Sequence, residues 1–228
     1  MRDFLLKSSA YWVWLIMSFH CVIALRFVNR YNIVKKIMFL LCGIIGLGLF
    51  YDAAVLCAGT VTGAGKLLEI LSRGRFILHG ACIPLLLPIC AEALDFKKPL
   101  KTAVWVLTIV LIIMGIADGA AMVPIEQHVA GIARYSYGEG SPAWARGINN
   151  IYTFGMIIPL LITGIAVWIK QNRTELFLSG GLMFFFSAIG PATGNFDLIF
   201  FIGMIGEVFM MLYLWLYADK KYRQPKKK

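Results

Sequence analysis

The chain has 228 residues, of which 60% are hydrophobic and only 15% charged, and its formal net charge is +10. That is more apolar material than a single soluble core can bury, so a soluble globular domain is excluded and a polytopic membrane protein is indicated. The positive charge is dispersed over short connections rather than gathered on one face, which makes it a topology signal and argues against a nucleic-acid partner.

A membrane span needs about 20 mostly apolar residues to cross ~30 Å of hydrocarbon. Seven stretches meet that length, near Ala10–Val28, Ile37–Ala58, Phe76–Leu94, Thr102–Val123, Ile151–Ile169, Leu176–Gly194 and Leu198–Ala218. The runs are continuous instead of alternating, so the expected fold is an all-α bundle of seven transmembrane helices and not a barrel. The first run carries Trp12 and Trp14 at the expected interface and lacks a small-residue cleavage pattern after it, so it is read as a span rather than a secretory signal.

The whole of residues 1–228 reads as one membrane domain. Its longest connection, 124–150, is expected to be an extracytoplasmic loop or lid. Within it Ile125, Val129 and Ile132 fall on one helical face, which predicts a short interfacial helix or cap over the mouth of the bundle. The connections at Arg26–Lys36, Lys97–Lys101 and Lys170–Arg173, with the tail from Lys220, hold 15 of the 22 basic residues. Basic residues are retained in the cytoplasm, so the amino terminus is expected outside and the carboxyl terminus, with the basic tail 219–228, inside. That tail reads as a stop-transfer flank resting on anionic lipid headgroups. The five cysteines fall within spans, contain no CxxC pair and read as packing residues.

Carboxylates inside apolar runs are costly, about 3 kcal/mol near the bilayer centre on insertion scales, and usually mark a site in the bundle interior. Asp118 and Glu207 lie in this position, and Asp52, His79 and His20 join them. Asp52, His79 and Asp118 are expected roughly 5–10 Å below the outer surface at ~1.5 Å per residue, with Glu207 and His20 nearer the midplane as a floor. Arg73 and Arg75 enter just above, and Asn195, Phe196 and Asp197 stand at the turn between the sixth and seventh spans. Together these residues describe a cup open to the outside or to the outer leaflet. The alternative for Asp52 and Asp118 is structural pairing with Arg73 or Arg75. For His79 it is a bond to a carbonyl freed by Pro84 or Pro88. Glycines four apart at Gly115 and Gly119 allow close helix approach beside Asp118, and Gly203 and Gly206 do the same beside Glu207.

A carboxylic acid in apolar surroundings stays protonated more readily and can act as a general acid. The segment Tyr51-Asp52-Ala53-Ala54-Val55, followed by Leu71 to His79 with Pro84 and Pro88, is similar to a pattern of small bacterial multi-span proteins. With its size, seven spans and inward acids, the chain resembles integral-membrane terpene cyclases. That resemblance implies an isoprenoid substrate protonated at an alkene or epoxide, and it assigns no individual residue. The expected function is therefore a membrane enzyme that binds a hydrophobic substrate in an outer-half cavity. Asp118 or Asp52 would be the general acid, Glu207 a second acid and His79 a tuning group; Arg73, Arg75, His20, Asn195, Phe196 and Asp197 would bind substrate. No metal or cofactor is expected; the partners are the substrate and membrane lipids. The rival functions are a proton-coupled transporter and a sensor or assembly subunit.

Overall fold

The fold is taken from a computed structural model, which describes residues 8–192, 194 and 196–223. Helix α1 spans Ser9–Val34, α2 Ile37–Thr62 and α3 Lys66–Cys82; a 3-10 turn at Ile83–Leu85 leads into α4, Leu86–Ala93, and α5 spans Lys98–Ala121. Strands β1 (Pro124–Val129) and β2 (Ile132–Tyr137) follow, then α6 (Ala143–Gly155), α7 (Ile157–Gln171), α8 (Glu175–Ala192) and α9 (Phe196–Tyr222). Five of these elements are long and apolar enough to cross a membrane: α1, α2, α3 running on through α4, α5, and α9 from Phe201. Helix α7 and the apolar part of α8 are shorter. The span expected over Ile151–Ile169 is divided, because the chain changes direction at Met156 between α6 and α7.

Two expectations about the middle of the chain are corrected. Residues Ile125 to Arg134 do not form an interfacial helix; they belong to an antiparallel hairpin in which Val129 pairs with Ile132 and Pro124 with Tyr137. The turn explains why. Ala130 and Gly131 both take positive φ (51° and 79°), the two-residue hairpin geometry whose twist matches that of paired strands. The amphipathic helix comes later, as α6. The second correction concerns depth. Helix α2 runs to Thr62 and α3 begins at Lys66, several residues beyond the apolar cores read from sequence. Counted from those ends at ~1.5 Å per residue, Asp52 and His79 lie about 15–20 Å deep, level with His20 and Glu207, whereas Asp118 is only about 5 Å from the end of α5.

The break between α3 and α4 follows from Pro84 and Pro88, which bring no N–H to the helical ladder. The Ile83 N–H still reaches the His79 carbonyl, so the chain continues as a bent rod rather than ending. Helix α5 packs on α3 through glycine. A Cβ placed on Gly80 would lie 2.5 Å from the Gly115 carbonyl oxygen, and one on Gly119 would lie 2.6 Å from the Ile77 nitrogen. The opposite side of α5 presents Val106, Leu107, Ile109, Val110, Ile113 and Ile116. That face is far more apolar than a soluble monomer exposes.

At one end of the molecule ion pairs join the helices: Arg30–Asp219 (3.1 Å), Lys101–Glu92 (2.6 Å), Lys221–Asp95 (3.0 Å) and Lys220–Glu175. Lys221 also donates to the Glu92 and Ala93 carbonyls at the end of α4. The hairpin lies at the opposite end, where β2 packs on α2 and α3. Ile132 is buried with Val13, Ile16, Leu56 and Phe201, and the Ser9 hydroxyl donates to the Ala130 carbonyl at 2.8 Å. The hairpin is thus plugged into the apolar core instead of hanging over it.

The contact between α3 and α5 leaves no room for a side chain. Gly80→Val should therefore cost about 3 kcal/mol or more, beyond ordinary overpacking because backbone is the obstacle. Gly203→Ala, whose Cβ meets nothing within 4 Å, should be neutral. Thermal denaturation of the two purified variants in detergent checks this; equal stability would refute the glycine contact.

Candidate active site

Two chambers meet at His79. The larger, about 220 Å³, is lined by His79, Ile83, Leu86, Tyr152, Met156, Ile157, Met183, Ser187, Gly203, Glu207 and Met210. The smaller, about 120 Å³, is lined by Asp52, Arg75, Phe76 and His79. The apolar wall of the first comes from the kink at Ile83–Leu86, the α6–α7 junction and the faces of α8 and α9. Glu207 and His79 are its only titratable acid–base pair among the described residues, and each keeps partial exposure toward the cavity while the apolar core around them is closed.

Asp52 is paired. Its Oδ1 accepts from the Arg75 Nε at 2.8 Å, and both side chains are largely withdrawn from solvent. Arg75 also lies over the Phe76 ring, 4.7 Å from the centroid, while its Nη1 is buried without a hydrogen-bond partner. Asp52 and Arg75 are both within electrostatic range of His79 and Glu207. His20 on α1 is completely buried, lies beside the Glu207 backbone, and has no hydrogen bond at either ring nitrogen. From the hairpin, Arg134 reaches the same group. Burial first, and then the Arg75 guanidinium, push its pKa down to about 9 against the pull of Asp52, so at neutral pH it remains a cation.

The remaining expected residues lie elsewhere. Asp118 touches neither chamber. Its Oδ2 accepts from the Tyr137 hydroxyl at 2.7 Å and its Oδ1 is buried without a partner, so this acid ties β2 to the end of α5. Burial pushes the Tyr137 phenol pKa up, reinforced by the bond to Asp118, and keeps it a neutral donor. Phe76 packs edge-on against the same Tyr137 ring at 4.8 Å. Arg73 is also structural: its Nη1 donates to the Ala120 carbonyl at 3.1 Å, closing the last turn of α5. Asn195 lies outside the described residues, as do the side chains of Phe196 and Asp197. His79 makes no hydrogen bond to a freed carbonyl among the described residues; its ring faces the chambers.

Sequence reasoning missed Tyr152, Met156, Met183 and Ser187 as lining residues. Tyr152 donates to the Leu111 carbonyl and so holds α6 on α5 at the cavity edge. Among the described residues no group of three or more His, Cys, Asp or Glu converges as a metal site. Comparison with protein families finds no match to this chain, and comparison with curated proteins finds none either.

Removing the Tyr137 hydroxyl leaves a second buried Asp118 oxygen without a partner, at about 1–3 kcal/mol. Tyr137→Phe should therefore raise amide hydrogen exchange across residues 124–137 about tenfold. Exchange unchanged from wild type would remove the tether from the account.

Proposed function

We propose that the chain is a seven-span membrane enzyme, amino terminus outside, that binds a hydrophobic molecule of isoprenoid type in the 220 Å³ cavity and uses Glu207 as its general acid. The observation that carries this reading is the placement of one carboxyl group and one imidazole, Glu207 and His79, in a mostly apolar chamber about 15–20 Å below the hairpin end. The chamber is smaller than the ~300–1,000 Å³ typical of drug-sized ligands, which favours a short isoprenoid.

Asp52 is less suited to the acid's role, because its carboxylate already holds a guanidinium, and Asp118 because it is spent on Tyr137. Protonated Glu207 gives its proton to an alkene or epoxide of the bound substrate. The resulting cation is stabilised by the π face of Tyr152 and the soft sulfurs of Met156, Met183 and Met210. A proton lost from a neighbouring carbon then passes to His79, and His79 returns it to Glu207. The overall change is terpene cyclase-like: a rearranged hydrocarbon skeleton with no net consumption of acid. The amino-terminus-out orientation is supported by the lysines and arginines gathered at the end opposite the hairpin, which fits retention of basic residues in the cytoplasm.

Two experiments test these proposals. With the five native cysteines replaced by alanine, labelling of single introduced cysteines with a membrane-impermeant maleimide should modify position 128 from outside the cell and position 172 only after lysis; the reverse would invert the topology. Organic extracts of cells supplied with isoprenoids should contain a new hydrophobic product with wild type and with Asp118→Asn. Glu207→Gln, expressed at equal level, should lose it by about 100-fold or more. Product formation by Glu207→Gln would refute the assignment of the acid. No product from any variant, together with uptake that follows an imposed pH gradient, would replace catalysis with proton-coupled transport.

A further inference from the structure

At the end of the molecule opposite the hairpin, a groove of about 290 Å³ runs between α1 and α9, lined by Arg26, Asn29, Arg30, Ile33, Trp215 and Asp219. On its α1 side, Arg26, Asn29 and Ile33 continue at helical spacing the exposed apolar face of Val22 and Leu25. Arg26 lies about 12 Å before the end of α1, one turn nearer the middle of the helix than the Arg30–Asp219 ion pair. The groove is rich in donors and poor in acceptors. Asp219 is its only carboxylate, and both oxygens are taken, Oδ1 by Arg30 at 3.1 Å and Oδ2 by Arg223 at 2.7 Å. The Arg26 guanidinium, the Asn29 amide and the Trp215 indole N–H have no side-chain partner among the described residues. Trp215 is a fixed wall, its ring packed edge-on against Phe27 at 5.2 Å and tilted against Phe39 at 6.2 Å. On a helix that crosses a membrane, an exposed arginine among apolar side chains meets lipid, and the strongest acceptors a phospholipid offers are its phosphate oxygens.

We propose that this groove seats the phosphodiester head of an anionic phospholipid. Arg26 meets the phosphate, and Asn29 and the Trp215 indole add neutral donors beside it. Arg30 adds a second positive charge whose position Asp219 fixes. The acyl chains pass along Leu25 and Val22 toward the bilayer centre, on the face of α1 that the bundle leaves exposed. A zwitterionic lipid fits less well, because its ammonium finds no free carboxylate: Asp219 already serves two guanidinium groups. A head held in this groove bridges the first and last helices of the bundle. The site is independent of the chemistry at Glu207 and requires only that these helices cross a membrane.

The test is native mass spectrometry of the purified full-length protein in detergent, titrated with phosphatidylglycerol and phosphatidylcholine of identical acyl chains. Wild type should retain one phosphatidylglycerol about tenfold more tightly than phosphatidylcholine. Arg26 is exposed and makes no side-chain contact that folding needs, so Arg26→Gln removes the donor without stranding a partner. That variant should lower the preference to about twofold or less. Lys97→Gln, which removes an exposed positive charge outside the groove, should leave the preference as it is in wild type. Equal retention of the two lipids by wild type would overturn the head site, and so would a preference that survives in Arg26→Gln. Equal losses in Arg26→Gln and Lys97→Gln would show diffuse attraction to a basic surface and would overturn it as well.

Discussion

The ion pair between Asp52 and Arg75 is the constraint on which the upper half of the molecule depends. It joins α2 to α3 within the bundle, at 2.8 Å and largely out of solvent, where breaking one partner of such a pair costs ~3–5 kcal/mol. The pair fixes the rotation of α3, and that rotation turns His79, four residues on and one helical turn away, toward the cavities. The Tyr51 hydroxyl, one residue before Asp52, reaches the Leu71 carbonyl at 3.2 Å. It can do so because Gly74 has no Cβ to obstruct it. Helix α5 then docks on the remaining face of α3 through Gly80, Gly115 and Gly119, and its end carries Asp118 up to the hairpin.

The polar residues of the bundle consequently divide by whether a partner already holds them. Near the hairpin end, Arg73, Asp118 and Tyr137 satisfy backbone and side-chain partners and hold the cover in place. Deeper, Glu207 and His79 border open volume and have no such duty. A buried acid already committed to a hydroxyl or a guanidinium makes a poor proton donor. The same energetic rule that assigns Asp118 and Asp52 to architecture is the reason the proposed chemistry is placed on Glu207. Arg75 stands between the two groups, its Nε held by Asp52 and its Nη1 buried without a hydrogen-bond partner.

Much of this was legible in the sequence. Continuous apolar runs located α1, α2, α5 and α9, and the rule that intramembrane acids face inward picked out Asp52, Asp118 and Glu207. Rotation was not legible. Whether Asp118 faces Tyr137 or a cavity depends on packing that the spacing of Gly115 and Gly119 constrains only to a contact face. The hairpin was misread because Ile125, Val129 and Ile132 satisfy a helical spacing, and the Ala130-Gly131 turn signal was outweighed by that periodicity. Tyr152, Met156 and Met183 gave no signal at all. Aromatic and sulfur-bearing side chains are ordinary filling in any apolar bundle, and only the kink at Pro84 and the break at Met156 turn them into a cavity wall.

If the space beside Glu207 and His79 is a binding site and not a packing gap, filling it must displace what it holds. Gly203 lines that space and a Cβ there meets nothing within 4 Å, which makes it the position from which to fill the cavity. The most direct measurement is mass spectrometry of the hydrophobic molecules that co-purify with wild type and with Gly203→Phe, matched for amount and thermal stability. A defined small hydrophobic species is expected, near-stoichiometric with wild type and absent from the filled variant. The same species in equal amount with both proteins would contradict it.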